Sequence, residues 1–383
     1  MPSRHCFPAA FLIVVCVAVA GCGDGRSLSG PGAVGPGPAT LALRLTSVTL
    51  GVGERLADAA RPLGPGGAPV APASLTWSSS APTVAAVSAA GEITAVAPGL
   101  ATVRVSAGEA TDSMAVTVVN GPTASLLAAG DIATCTGMGD DSTAALVEGL
   151  DGTVLTLGDN VYPDGSPQAY AQCYAPTWGR FKSRTYPAPG NHDYLTREAA
   201  GYFGYFGARA GPPGRGYYSF DLNGWHLVAL NGEIDIGAGS PQLAWLAQDL
   251  AAHPAACTLA FWHEPRFSSG VEHGDNPGRT AVWQVLHDAG AELVLNGHDH
   301  DYERFAPQTP TGAPDEARGI REFVVGTGGA HAYGLGTRRP NSEASHSGTF
   351  GVLRLTLYAG GYAWEFVPAD PSGFRDRGSG ACH

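Results

Sequence analysis

Five short loops constrain this chain more than any other feature. Each follows a run of apolar residues of strand length, and each opens on a hard oxygen or an imidazole. They are Gly130-Asp131-Ile132, Gly158-Asp159-Asn160-Val161-Tyr162, Gly190-Asn191-His192-Asp193, Trp262-His263-Glu264-Pro265 and Gly297-His298-Asp299-His300. Apolar runs at Ser125–Ala129, Thr153–Leu157, Thr258–Trp262 and Ala291–Leu295 read as strands, and helical candidates lie between them at Asp141–Leu150, Ser240–Ala252 and Arg279–Ala289. In the second of these, Ser240 is placed to cap, Pro241 suits the first turn, and Leu243, Leu246 and Leu250 share a face. Strand–loop–helix repetition predicts an α/β layered fold, with the donors gathered at strand ends. A hairpin-like stretch at Gly216–Asn231 and the runs Phe350–Leu357 and Tyr362–Val367 add antiparallel strands, so the expected sheets are mixed and two in number.

A lone Gly-Asp carries no information, and Gly-Asn-His-Asp carries some; five such loops in this order are specific. The order resembles that of the calcineurin-like metallophosphoesterases, over about 245 residues from Ser125 to roughly Pro368. The resemblance implies a four-layer α/β (α+β) sandwich with two mixed β-sheets over residues 123–368, followed by a tail at 369–383. Carried over position by position, it implies that Asp131 binds a first metal ion and Asp159 bridges two. Asn191, His263 and His298 then bind the second ion, and His300 returns to the first. His192 would contact the substrate phosphate or its leaving group.

One departure refines this. Most members of that family place a His two residues after the first Asp, where this chain has Ala133. Tyr162 follows Asp159 by three residues, as in the Gly-Asp-x-x-Tyr of purple acid phosphatases, where a tyrosinate binds ferric iron. The phenolate is a hard anion that a trivalent iron stabilises far below the free phenol pKa of ~10. The run His298-Asp-His300-Asp-Tyr302-Glu303-Arg304 also resembles that subfamily, and His273 occupies the place of its second imidazole near the leaving group. The implied cofactor is Fe(III) with a divalent Zn, Fe or Mn ion. The implied activity is hydrolysis of phosphate monoesters by a metal-activated hydroxide, with His192 and His273 donating the leaving-group proton. Two alternatives stand beside it: a phosphodiesterase or nucleotide hydrolase on the same site, and a non-catalytic surface-binding lipoprotein.

Other residues give weaker indications. Arg266 and the loop Gly326–His331 are candidates to line a phosphate pocket, although a turn with an incidental His suits the latter better. Glu264 is a candidate to orient a metal ligand. The aromatic residues of Gly201–Ala208 read as core, and His226, His253, His287, His346 and His383 as structural or surface residues.

The N-terminal third is of another kind. An apolar run from Phe11 to Ala20, about ten residues, is too short to span a bilayer and reads as the core of a signal peptide over residues 1–21. Val19-Ala20-Gly21-Cys22 resembles the bacterial lipobox, which implies lipid attachment at Cys22 and an exported, membrane-anchored lipoprotein, periplasmic or at the cell surface. Residues 22–39, rich in Gly and Pro, form an expected tether. Residues 40–120 alternate apolar and polar positions between Gly and Pro punctuation. The stretch from Trp77 through Pro82, Val84, Val87, Gly91, Ile93 and Gly99 to Val103 resembles the bacterial Ig-like group 2 module, a small all-β sandwich. Its expected role is that of a spacer, or of a contact to the cell surface or a protein.

Export permits disulfides. Cys135, Cys173, Cys257 and Cys382 allow three pairings. Sequence alone does not choose among them, although the flanking site loops favour Cys135–Cys173 with Cys257–Cys382. Thirty-four acidic against 22 basic residues, a formal charge of −12, exclude a sequence-independent polyanion binder, so long nucleic acid is not an expected partner and a small phosphoester is.

Overall fold

The computed structural model describes residues 41–57, 71 and 75–383. The signal peptide, Cys22 and the tether lie outside the described residues, and no described helix is long and apolar enough to cross a membrane.

The first seven strands are β1 (Ser47–Gly51), β2 (Arg55–Leu56), β3 (Thr76–Ser79), β4 (Ala85–Val87), β5 (Ile93–Ala95), β6 (Gly99–Ala107) and β7 (Ala110–Val119). They form two sheets, ordered β1-β7-β6-β3 and β2-β5-β4. Alternation along β6 and β7 turns Val103, Val105, Met114, Val116 and Val118 inward onto Val48, Leu50 and Ile93. Leu41, Leu43 and Leu45, which alternate as a strand would, are buried without forming one: the Leu43 amide donates to Asp112 (2.6 Å) rather than to a ladder.

The remaining strands are β8 (Ala124–Ala129), β9 (Thr153–Leu157), β10 (Thr185–Ala188), β11 (Tyr218–Leu222), β12 (Trp225–Ala229), β13 (Cys257–Phe261) and β14 (Leu293–Asn296). They continue with β15 (Asp301–Phe305), β16 (Arg321–Val325), β17 (Ser342–Ser347), β18 (Gly351–Tyr358), β19 (Gly361–Pro368) and β20 (Arg377–Ala381). They build a six-stranded sheet, β10-β9-β8-β18-β19-β20, and a seven-stranded sheet, β11-β12-β13-β14-β16-β15-β17. In each, a parallel block is flanked by antiparallel strands, so both sheets are mixed as expected.

Side-chain alternation fixes the layers. Leu227, Ala229, Leu259, Phe261, Leu293, Leu295, Phe323 and Val325 enter the core shared with the six-stranded sheet. Their neighbours Val228, Ala260, Trp262, Val294 and Val324 meet the helices Pro241–Ala252 and Thr280–Asp288 through Leu243, Leu246, Val282, Trp283 and Leu286. Each such fully buried aliphatic side chain contributes about 1.5–3 kcal/mol. Ser240 caps the first of these helices by accepting from the Leu243 amide at 3.1 Å. The helix Gly139–Glu148 packs Ala144 and Val147 into the core on the other side.

Two findings differ from the sequence expectation or complete it. Residues 369–383 are more than a tail: Arg377–Ala381 pairs antiparallel to β19 as the sixth strand. The disulfides are Cys135–Cys173 and Cys257–Cys382, with Cα separations of 5.0 and 5.6 Å, and the second ties the last residues to the start of β13. The N-terminal sandwich also meets the larger domain through Glu365. That buried carboxylate accepts from the Thr46 amide and hydroxyl (both 2.8 Å) and pairs with Arg375 (3.0 Å).

Candidate metal centre

All five donor loops leave the C-terminal ends of parallel strands. Asp131 follows β8, Asp159 follows β9, Asn191 follows β10, His263 follows β13 and His298 follows β14, so the two sheets deliver their donors to one edge of the sandwich. Asp131, Asp159 and His298 hold left-handed backbone, with φ of 59°, 46° and 73°. That conformation is tolerated by Asp and disfavoured for larger side chains, and here it turns each donor back over the strand end. Gly158, at φ 85°, sits against His263: a Cβ there would lie 2.4 Å from the imidazole Nδ1.

The donors fall into two groups. Around Asp131, the Tyr162 hydroxyl lies 2.9 Å from Asp131 Oδ1 and 3.0 Å from His300 Nε2, which is itself 3.2 Å from Asp131 Oδ1. Around His263, Nε2 lies 3.0 Å from Asn191 Oδ1 and 3.1 Å from His298 Nδ1. Asp159 Oδ2 belongs to both groups, 3.0 Å from the Tyr162 hydroxyl and 3.4 Å from His263 Nε2. Each carboxylate spends its other oxygen on a backbone amide: His298 N donates to Asp131 Oδ2 and His192 N to Asp159 Oδ1, both at 2.8 Å. Two imidazoles are oriented from behind, His263 Nδ1 by the Leu157 carbonyl (2.8 Å) and His300 Nδ1 by the His331 carbonyl (2.6 Å). Each of these carbonyls accepts a hydrogen bond from the ring's Nδ1–H and turns Nε2 toward the centre.

Electrostatics follow from this crowding. Burial works to raise the Asp131 and Asp159 carboxyls, but the neighbouring imidazoles, His300 for Asp131 and His263 for Asp159, hold both below the ordinary range. Burial disfavours charge on His263, yet Asp159 and Asp131 push it up to about 10. His298 moves the other way, to about 3, through burial and the adjacent His263 and His273. Burial and the two carboxylates drive the Tyr162 phenol well above its usual value.

The structure therefore brings together Asp131, Asp159, Tyr162, Asn191, His263, His298 and His300. His192 and His273 stand at the rim. The His192 ring lies 4.4 Å from that of Tyr162, its Nδ1 contacts the Pro163 carbonyl (2.6 Å), and its Nε2 is 4.0 Å from Asp159. His273 stacks on His298 at 3.8 Å. Arg266 is directed elsewhere: it covers the Phe267 ring and donates to Thr280 (3.1 Å). Glu264 does not touch His263 and pairs instead with Arg279 and Asn276. The Gly201–Ala208 aromatics are core, with Tyr202 and Phe206 buried.

Two contributors escaped the sequence reading. Asp193 accepts from the amides of Gly190 (2.9 Å) and Asn160 (3.3 Å) and from the Tyr170 hydroxyl (2.5 Å), fixing the turn that carries Asn191 and His192. Tyr333 stacks on His300 at 3.8 Å with an interplanar angle of 9°. The acidic residue ending Gly-Asn-His-Asp was a usable pointer to the first; nothing in the sequence marks the second.

A pair of mixed sheets thus carries a histidine–carboxylate cluster at one edge. Residues 125–302 match the family model of the calcineurin-like phosphoesterases, and residues 67–118 match the bacterial Ig-like domain (group 2). Among curated proteins, the chain is 29% identical over 217 residues to purple acid phosphatase 15 of Arabidopsis thaliana, covering 50% of this chain and 39% of that one. It is 32% identical over 152 residues to purple acid phosphatase 22 of the same plant, covering 38% and 35%. The chain thus spans about two fifths or less of the length of these relatives. Among solved structures, a yellow lupin purple acid phosphatase, PPD1, superposes with a TM-score of 0.52 at 16% identity over 76% of this chain and 61% of that one. GAP50, the anchor in the inner membrane complex of Plasmodium, gives 0.55 at 14% identity over 68% and 89%. At these identities the structures share the fold.

Proposed function

We propose that this protein is an exported dinuclear-metal phosphatase, similar to purple acid phosphatases and acting on phosphate monoesters. The observation that carries the reading is the division of seven side chains into two four-donor sets that share Asp159 Oδ2. Two donors bound to one ion at ~2.1 Å and at right angles lie about 3 Å apart. The contacts within each set, 2.9–3.2 Å and 3.0–3.4 Å, match that spacing. Asp131, Asp159, Tyr162 and His300 would hold one ion, and Asp159, Asn191, His263 and His298 the other. When bound, such a pair supplies an acidified water and neutralises phosphoryl oxygens.

The chain's own residues do the rest. The Leu157 and His331 carbonyls keep His263 and His300 in the tautomer whose Nε2 is free to coordinate. Phenolate at Tyr162 is disfavoured by two adjacent carboxylates, so its use as a donor requires strong positive charge. That supports Fe(III) in the Tyr162 set, with a divalent Zn, Fe or Mn ion in the other. His192, its Nδ1 proton held by Pro163, presents Nε2 at the half-buried mouth of the site, where a proton on that atom is positioned to pass to the departing alkoxide. His273, against His298, borders the same mouth.

The apolar Phe11–Ala20 run and Cys22 support export and a lipid anchor, and the Ig-like module then stands between membrane and enzyme. Metal analysis together with turnover of p-nitrophenyl phosphate and bis-p-nitrophenyl phosphate tests the proposal. Two metal equivalents and preference for the monoester are expected. A protein that retains no metal, or one that prefers the diester, refutes it in whole or in its substrate class.

A further inference from the structure

A second group of metal-type donors lies apart from this centre, at the β11 edge of the seven-stranded sheet. His226 stands on β12, directly across from Asp221 on β11. Its Nε2 lies 2.9 Å from Asp249 Oδ2, in the last turn of the helix Pro241–Ala252. His253, four residues on and therefore on the same face of that helix, places Nδ1 3.3 Å from Asp249 Oδ1. One ligand atom from each of His226, Asp249 and His253 lies within 4.8 Å of the others.

We propose that His226, Asp249 and His253 form an additional binding site for a divalent cation that favours imidazole, of which zinc is the prime case. Two nitrogens and one carboxylate oxygen make a three-ligand set with a fourth position left for water. The supporting shell is already in place. Asp221 Oδ1 sits 2.8 Å from His226 Nδ1, the carboxylate–histidine arrangement that fixes the tautomer of a ligating ring. Ser219 donates to Asp249 Oδ1 at 2.9 Å. His226 is buried, while the His253 side chain is 48% exposed and leaves the site open to solvent. Without an ion, His253 Nδ1 donates to the Asp249 carbonyl (2.9 Å) and His226 Nε2 to Asp249 Oδ2 (2.9 Å), and binding exchanges both bonds for the metal and releases both protons to solvent. A cation at this helix C-terminus is also favoured by the helix dipole. The site would clamp the end of the helix to the sheet edge.

Equilibrium dialysis of the full chain against zinc tests this. His253→Ala, at an exposed position, is expected to bind one zinc equivalent fewer than wild type, with turnover of p-nitrophenyl phosphate unchanged. Asp221→Asn is expected to keep that equivalent but weaken it about 10–100-fold. Equal zinc stoichiometry and affinity in wild type and His253→Ala would overturn the proposal and leave His226 as a ring held only between two carboxylates. Loss of turnover in His253→Ala would overturn the independence of the two sites. The zinc count is read without reference to activity, so failure here and failure of the phosphatase reading are distinguishable.

Discussion

The Tyr162 hydroxyl lies 3.0 Å from Asp159 Oδ2, the atom that the two donor sets share. Burial, together with the Asp131 and Asp159 carboxylates, keeps a phenol in that position protonated without an ion. Iron-loaded protein should therefore absorb visible light, and Tyr162→Phe should abolish the band while the fold persists. Absorption spectroscopy with parallel circular dichroism decides the matter; a colourless, fully active, zinc-only wild type would remove tyrosinate ligation.

Removing the shared oxygen should empty both ion sites. Asp159→Asn is expected to lose most of its metal and to lower phosphomonoester turnover by more than the ~10–100-fold typical of losing a ligand's supporting partner. Glu264→Gln is the matched control, since Glu264 faces Arg279 and should leave occupancy unchanged. Elemental analysis and steady-state kinetics of the two variants provide the comparison.

Gly158 makes room for the imidazole of His263. A methyl group at this position meets the ring and also sits on a backbone that side chains avoid. Gly158→Ala should displace His263, reducing metal affinity and turnover together and costing more than ~1 kcal/mol of stability. Unchanged metal affinity in a folded variant would contradict the close approach.

Glu365 couples the Ig-like module to the larger domain, accepting from Thr46 and pairing with Arg375. Breaking a buried pair by removing one partner costs about 3–5 kcal/mol. Glu365→Ala is expected to lower the melting temperature and to expose the junction to protease, with little change in kcat of the surviving folded protein. Limited proteolysis reads this directly.

Glu292 carries a pH dependence. Burial lifts its carboxyl from 4.5 to about 7, only partly opposed by the Thr258 amide that donates to it. Because the folded value is the higher one, the associated stability is complete below pH 4.5 and disappears as pH rises through about 7, a loss of about 3 kcal/mol. Glu292→Gln keeps an acceptor for Thr258 and should flatten this decline. Denaturant titrations at pH 4.5 and 8 measure it.

The candidate donors are legible in the sequence because metal chemistry restricts residue type and strand ends restrict position. Asp131, Asp159, Asn191, His263, His298 and His300 satisfy both restrictions and are found together. Arg266 and Glu264 stand out by adjacency to His263, but adjacency along a chain leaving a strand says little about direction: Arg266 goes to Phe267 and Thr280, and Glu264 to Arg279 and Asn276. Tyr333 was invisible because its role is a stacking contact, which any aromatic residue in any loop can make. The strand Arg377–Ala381 was hidden for a different reason: its residues Arg-Gly-Ser-Gly-Ala carry no apolar alternation, and pairing with β19 supplies what propensity does not.

The left-handed turns at Asp131, Asp159 and His298 bear on how the candidate site is assembled. Conformations of this kind cost on the order of 1–3 kcal/mol each for residues other than glycine, and here they are held at the ends of paired strands. If ions bind here, they are expected to dock onto a site whose backbone is already formed. A matured chain stripped by a chelator should accept replacement ions without being unfolded. Glycine at any one of these turns is expected to relieve that local cost and raise stability.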